Sequence, residues 1–138
     1  MLPFVLLLLT GCPGFGSLAS GSTEVCATFN IPEVPTWDAE VEGVMASNCS
    51  YCHMDPPASG APDYFVLDSY EDTVGDDGRD LLGAHSQQDR ILGRAIDGDP
   101  SFMPLGSSSG PSQEDKCILS AWVEQGAPLT GDDTAGAP

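Results

Sequence analysis

Residues 49 to 53 read Cys49-Ser50-Tyr51-Cys52-His53. This is a C-x-x-C-H pattern, which is typical of the covalent attachment of a c-type haem. Two thiols three positions apart can reach the two vinyl groups on one edge of a porphyrin, and the histidine that follows can ligate the iron. The pattern therefore predicts one covalent haem c, with Cys49 and Cys52 as attachment residues and His53 as an axial ligand.

Paired cysteines at this spacing also occur in zinc sites and in redox-active dithiols. A structural zinc site needs about four ligands, and the further candidates His85, Cys26 and Cys117 do not form a second pair in the sequence. A thioredoxin-like dithiol is expected beside a βαβ pattern, and no such pattern surrounds residues 49–53. Haem attachment is therefore the favoured interpretation.

The N-terminus resembles the leader of a bacterial lipoprotein. The apolar run of residues 2–9 is too short to span a bilayer, and it ends in Leu-Thr-Gly-Cys at residues 9–12. We predict a lipoprotein signal peptide at 1–11 and lipidation of Cys12, although no Lys or Arg precedes the run and an ordinary secretory leader is the alternative. Either leader predicts export, to the periplasm or the cell surface.

The chain has five cysteines. If Cys12 carries lipid and two thiols carry haem, Cys26 and Cys117 remain, in a compartment where disulfides persist. A disulfide between them would close a loop of about 90 residues, which stabilises the fold by roughly 4 to 5 kcal/mol in the chain-entropy description. Two independent thiols are the alternative.

The charge balance is strongly acidic, with 21 acidic side chains, 4 basic ones and a formal net charge of −17. Nucleic acids and anionic lipid surfaces require clustered Lys and Arg, so neither is an expected partner. The charge is compatible with a redox partner protein that has a basic docking surface. It would serve solubility equally well.

Composition divides the chain into four segments: a signal peptide at 1–11, a lipidated Cys and flexible tether at 12–35, a folded domain at 36–128, and a disordered acidic tail at 129–138. Apolar periodicity and capping residues predict three main helices in the domain. They begin near residue 36, at 87–97 after a capping box that starts at Ser86, and at 113–125 after a cap at Ser112. A short helix or extended turn is expected at 68–74.

Two residues compete for the second axial position of the iron. Met103 lies in a loop before a proline, and a Met/His pair raises the reduction potential above that of a bis-His pair. His85 precedes the second helix and is the alternative. On that helix, Arg90 and Arg94 are candidates for pairing with the haem propionates, and an ion pair with a local Asp is equally compatible with the sequence.

Three pieces of the chain together resemble a small monohaem cytochrome c domain of the class I kind: the C-x-x-C-H pattern, Met103-Pro104, and the closing run Ala-Trp-Val-Glu-Gln-Gly-Ala-Pro at 121–128. The resemblance covers about residues 36–128. It implies an all-α fold, a small cytochrome c-like helical domain wrapped around one covalent haem. Tyr51, Phe65 and Trp122 are expected to pack against that haem, and packing of Trp122 on the first helix is the alternative.

The leading functional prediction is electron transfer by a membrane-anchored monohaem c-type cytochrome with His/Met ligation. The sequence contains no Ser/His/Asp set, Walker loop or dinucleotide fingerprint, so a carrier is expected and not an enzyme. One alternative is a haem-based sensor or binding module with an open or bis-His iron. Another is a surface lipoprotein without haem, in which Cys49 and Cys52 form a disulfide.

Overall fold

The computed structural model describes residues 25–136 of the chain. The predicted signal peptide, Cys12 and residues 13–24 of the tether lie outside the described residues. Within them, the α-helices and strands are α1 (Glu42–Asn48), β1 (Thr73–Val74), β2 (Asp80–Leu81), α2 (Gln88–Leu92) and α3 (Gln113–Glu124). No helix in residues 25–136 is long and apolar enough to cross a membrane.

The first predicted helix is present, and it begins as a π-helical turn, Trp37–Val41, that continues into α1. The side chains of Val41, Val44 and Met45 are buried. Their i, i+3 and i+4 spacing places them on one face of the helix. Helix α1 ends at Asn48, and Cys49 is its C-terminal cap. Because its apolar face is buried in the core, the helix also fixes the position at which the C-x-x-C-H segment begins.

The second helix is confirmed in position but not in its start signal. Helix α2 is followed by a π-helical turn at Gly93–Asp97, which together cover the predicted range. The hydroxyl of Ser86 does not cap it, and donates instead to Asp72 Oδ1 at 2.6 Å. The predicted capping box is therefore wrong, because a partner distant in sequence takes the hydroxyl.

The third helix is confirmed with its cap. Helix α3 begins after Ser112, whose hydroxyl oxygen accepts the backbone N–H of Asp115 at 3.1 Å. The chain leaves the helix at Gly126, which has a φ of 84°. Glycine adopts this left-handed conformation without steric cost, so the stop signal read from the sequence is the physical one.

The prediction of an all-α fold is wrong. Residues 73–74 and 80–81 form a two-stranded antiparallel sheet, and Phe65 makes an isolated parallel bridge with Leu82. Of the short helix or extended turn expected at 68–74, the helix is absent: residues 68–72 are bends and irregular backbone, and residues 73–74 are strand β1. The cause is the turn Asp77-Gly78, where Gly78 has a φ of 82° and Asp77 Oδ1 accepts the N–H of Arg79. Asp-Gly is a strong hairpin signal.

The expectation of a domain wrapped around a porphyrin is also wrong, because side chains close the interior on one another. Trp122 is 0% exposed and its ring centroid lies 6.2 Å from that of Trp37. The carbonyl of Pro128 accepts both the Trp37 backbone N–H at 3.0 Å and Trp122 Nε1–H at 3.1 Å. The Tyr70 hydroxyl donates to the Ala127 carbonyl at 2.8 Å. This closing segment thus joins the first and last helices directly.

One buried glycine marks the closest approach of two backbones. Gly83 is buried, and a Cβ placed on it would overlap the carbonyl of Glu71. Its N–H donates to Asp72 Oδ1 at 2.8 Å.

Further along the chain, Gly131–Gly136 forms a 3-10 helix within the segment that composition assigns to the tail.

Candidate functional site

A tight turn after α1 carries the C-x-x-C-H residues. The carbonyl of Met45 accepts two N–H groups, from Cys49 at 2.8 Å and from Ser50 at 2.9 Å. The carbonyl of Cys49 then accepts the N–H groups of Cys52 and His53, each at 3.1 Å. These bonds satisfy carbonyls that the end of a helix leaves without partners. They also bring the two thiols and the imidazole into one turn of chain.

The same turn is tied to the apolar segment that follows it. The N–H of Leu67 donates to the His53 carbonyl at 2.7 Å, and the hydroxyl of Ser50 donates to the Leu67 carbonyl at 3.0 Å. Leu67 and its neighbour Phe65 are buried in the core. The position of His53 is therefore set from both sides, by α1 before it and by this segment after it.

Both thiols are free. Cys49 and Cys52 are each partly exposed, and Cys49 packs against the core. Burial raises the pKa of the Cys49 thiol to about 11, and the charges of Asp115 and Cys52 add to the effect. A thiol with such a pKa is protonated at neutral pH and is a weak nucleophile there. The disulfide expected between them in the haem-free alternative is not formed.

His53 is buried, with only 8% of its surface exposed, and its ring centroid lies 4.4 Å from that of Phe65. Burial, then the charges of Arg94 and Arg90, lower the pKa of the imidazole. Its Nδ1 atom is buried and has no hydrogen-bond partner. No backbone carbonyl orients the ring through Nδ1.

The two arginines assigned to the propionates lie beside this ring. The guanidinium carbon of Arg90 is 5.6 Å from the centroid of Phe65 and 5.6 Å from that of Tyr64. Arg90 also donates to the side chain of Gln87 at 3.3 Å. The alternative of an ion pair with a local Asp is not realised by Arg90 or Arg94 among residues 25–133.

Arg79, by contrast, is surrounded by carboxylates. It pairs with Asp55 at 3.0 Å, Asp63 at 3.4 Å and Asp77 at 2.6 Å. Asp55 and Asp63 lie in the loop that follows His53, and Asp77 lies in the hairpin turn. Arg79 therefore connects the loop after His53 to the small sheet.

The two candidate second ligands lie in different surroundings. The backbone N–H of Met103 donates to the Arg94 carbonyl at 3.0 Å, so its loop is held against the helical turn that carries Arg94. The ring of His85 lies 5.0 Å from that of Tyr70, which in turn packs against Trp37. Met103 is thus linked to an arginine whose charge acts on His53, and His85 packs on the side of the core that holds Tyr70.

The three aromatic residues assigned to haem packing are dispersed. Phe65 lies against His53. Tyr51 is 76% exposed, and Trp122 is completely buried against Trp37 in the core. Only Phe65 is therefore in contact with the imidazole, and Trp122 fills the position between the first and last helices that the sequence offered as its alternative role.

Two residues of the site were missed by the sequence reasoning. The ring of Tyr64 lies 5.6 Å from the guanidinium carbon of Arg90. The charge of Asp115 contributes to the raised pKa of the Cys49 thiol. The adjacent aromatic residues at 64–65 were a visible signal for the first. For Asp115 there was none, because its place at the start of α3 is explained by the helix cap alone.

The structure joins Cys26 to Cys117, the pair that the cysteine count left for a disulfide. This bond connects the start of the described chain to α3. Among residues 25–136, no three His, Cys, Asp or Glu side chains converge in a way that could hold a metal ion.

Comparison with known proteins finds no matching protein family, no matching curated protein and no matching solved structure.

Proposed function

We propose that this chain binds one haem covalently through Cys49 and Cys52, with His53 as an axial ligand, and that it transfers electrons. The observation that carries the proposal is the buried Nδ1 atom of His53, which has no hydrogen-bond partner. The thiols of Cys49 and Cys52, in the same turn of chain, are free. A buried polar atom without a hydrogen bond costs roughly 1 to 3 kcal/mol, so such atoms in native proteins call for an explanation. Iron ligation by the imidazole would supply one, because the two ring nitrogens of a ligating histidine take their partners together.

The donor set suits this group. Addition of each S–H across a vinyl C=C bond forms one S–C bond and leaves the hydrogen on the neighbouring carbon, so attachment requires thiols and not a disulfide. Cys49 and Cys52 are both thiols. The His53 ring already lies against Phe65, which supplies an apolar surface. A haem held there would carry one electron between the Fe(III) and Fe(II) states.

Met103 is our proposed second axial ligand. Its support is the hydrogen bond from its N–H to the Arg94 carbonyl, which holds the loop against the turn Gly93–Asp97, and the charge of Arg94 in that turn acts on His53. His85 remains the rival ligand. We expect Met103→Ala to abolish the long-wavelength sulfur-to-iron charge-transfer band of the oxidised protein and His85→Ala to retain it. A parent protein without this band would exclude Met103. A low-spin bis-His spectrum that His85→Ala abolishes would then assign the position to His85, and a high-spin spectrum in the parent would indicate an open site for a small ligand.

We further propose that the protein is exported and anchored by lipid at Cys12. The disulfide between Cys26 and Cys117 supports an oxidising compartment. Incorporation of labelled fatty acid should occur in the full chain and be lost in Cys12→Ser. The net charge of −17 supports a redox partner with a basic docking surface.

The decisive experiment is a pyridine haemochrome spectrum of full-length protein produced together with a c-type haem maturation system. We expect covalent haem at one per chain. Cys49→Ala and Cys52→Ala should each leave a single thioether bond, which shifts the spectrum, and the double variant should carry no covalent haem.

Covalent attachment can be compared in His53→Ala and His85→Ala, because only the first changes the C-x-x-C-H turn. His53→Ala should lose covalent haem or normal ligation, and His85→Ala should keep the haem covalently attached whichever residue is the second ligand. Protein that is colourless under these conditions and still folded would refute the proposal.

A further inference from the structure

The loop at 98–110, which carries Met103, is closed on itself at its tip. The N–H of Ser107 donates to the Pro104 carbonyl at 3.1 Å, and the Ser107 hydroxyl donates to the Gly110 carbonyl at 3.0 Å. The same hydroxyl oxygen accepts the N–H of Gly110 at 2.9 Å. The position of Met103 therefore depends on how the part of the loop before this tip is attached to the helices.

Phe102, the residue before Met103, attaches the loop to α3. Its ring centroid lies 5.0 Å from Nζ of Lys116 in that helix. Two glycines make room for the ring. A Cβ on Gly98 would lie 2.8 Å from it, and a Cβ on Gly110 would lie 3.2 Å from it and 3.3 Å from Cε of Lys116. The ring and the lysine stem are therefore packed together where the two ends of the loop meet.

Lys116 is the only lysine of the chain, which has 21 acidic side chains. Two carboxylates, Glu114 and Asp115, precede it directly. Within residues 25–133, however, all three ion pairs are made by Arg79 and none by Lys116. A cation close to the face of an aromatic ring is attracted by the negative charge of that face. The one cation of α3 is therefore placed on the loop and not on an acidic neighbour.

Backbone bonds attach the same part of the loop to a second element, the turn Gly93–Asp97. The N–H of Met103 donates to the Arg94 carbonyl at 3.0 Å, and the N–H of Asp99 donates to the Gly93 carbonyl at 3.0 Å. The side chain of residue 102 is thus held on α3 while the backbone of residue 103 is held on this turn. Together the two attachments restrict the direction in which the Met103 side chain leaves the backbone.

We propose that Lys116, through its contact with the Phe102 ring, is a positioning residue for Met103, an inference that rests on the proposed iron ligation by Met103. The contact lowers the population of loop conformations in which the thioether is withdrawn from the site. Its loss should raise that population about two- to fivefold, the factor that corresponds to one cation–π contact at an exposed site.

The test measures the binding of imidazole to oxidised, haem-loaded, full-length protein, followed by loss of the sulfur-to-iron charge-transfer band. Imidazole binds only where Met103 has withdrawn, so its apparent dissociation constant falls as the open population rises. In its neutral form imidazole responds little to the charge of the variants. Lys116→Met removes the cation and keeps an unbranched side chain, Lys116→Arg keeps a cation, and Phe102→Leu removes the ring.

We expect Lys116→Met to lower the apparent dissociation constant about two- to fivefold, Phe102→Leu to lower it by at least as much, and Lys116→Arg to keep the parent value. The double variant Lys116→Met/Phe102→Leu should match Phe102→Leu alone, because the contact is already lost there. An unchanged constant in Lys116→Met would overturn the inference. So would a second decrease of the same size in the double variant, because the charge would then act without the ring.

The acylation rate of the Lys116 amine, followed by peptide mass spectrometry, is a readout that does not involve the haem. Phe102→Leu should raise this rate because it uncovers the amine, and Tyr51→Leu is the matched control for loss of a ring elsewhere. Equal rates in the parent and in Phe102→Leu would contradict the contact on which the inference depends.

Failure of the proposed function has a different signature. Parent protein without covalent haem, or with haem but without the charge-transfer band, would refute haem attachment or ligation by Met103, and this inference with it, before any variant is measured. Parent protein that shows the band while Lys116→Met binds imidazole as the parent does would overturn only the role of Lys116.

Discussion

Replacement of Trp122 by Phe tests whether this residue belongs to the core or to the haem. Trp122 is completely buried, its indole N–H donates to the Pro128 carbonyl, and its ring packs against Trp37. Loss of the hydrogen bond should cost about 1 kcal/mol, and the space left by the smaller ring about 1 to 2 kcal/mol. The Pro128 carbonyl keeps the Trp37 N–H as a donor at 3.0 Å, so no unsatisfied acceptor adds to the cost.

We therefore expect Trp122→Phe to lower the free energy of unfolding by about 2 to 3 kcal/mol. Urea unfolding should show a lower midpoint at an unchanged slope, and the haemochrome spectrum and reduction potential should not change. Tyr51→Phe is the matched control, because Tyr51 is 76% exposed and should change stability by less than about 0.5 kcal/mol. Unchanged stability together with a shifted potential would refute the reasoning, since it would place Trp122 at the haem.

Three further outcomes follow from the structure. Gly83→Ala forces a Cβ into an opposing backbone carbonyl and should destabilise the protein by about 1 to 3 kcal/mol. Gly43→Ala, at the second residue of α1, adds a Cβ that meets nothing within 4 Å, and should leave stability unchanged or raise it by up to about 1 kcal/mol. Similar midpoints in urea for the two variants would contradict this. Cys26→Ser opens a disulfide loop that spans 91 positions and should cost about 4 kcal/mol in thermal unfolding, so a loss below about 1 kcal/mol would show that the loop-closure argument does not apply here. Burial, then nearby acidic charges, raise the pKa of Tyr70. Its contribution to stability should therefore be complete below a pH of about 10 and be lost as the pH rises through the folded-state pKa. Tyr70→Phe should show a smaller decline in the free energy of unfolding at alkaline pH, and an equal decline would exclude the hydroxyl as its cause.

The helices were predictable because their signals are local. The apolar spacing before Cys49 and the cap at Ser112 act within a few residues, and both appear in the structure as the sequence predicts. The cap expected at Ser86 failed for a nonlocal reason, because Asp72 takes its hydroxyl from 14 positions away. The hairpin was not predicted although Asp77-Gly78 is a local hairpin signal, because residues 68–74, which lead into it, were expected to form a short helix or extended turn.

The site divides in the same way. Its residue types follow from the C-x-x-C-H spacing, and the structure adds their surroundings. The contact of His53 with Phe65 depends on a segment 12 residues later in the chain. The absence of a hydrogen bond at Nδ1 depends on which acceptors the folded chain places near that atom. Neither can be predicted from the five residues alone, because both arise from long-range packing.

In the cluster at Arg79, a single guanidinium offsets the charges of three carboxylates. Asp55, Asp63 and Asp77 all converge on its guanidinium. Exposed ion pairs contribute little to global stability, but removal of this arginine would leave three negative charges close together with nothing to offset their repulsion. The loop that follows His53 would then lose the ion pairs that hold it to the hairpin, so residue 79 determines how firmly the chain beside the imidazole is fixed.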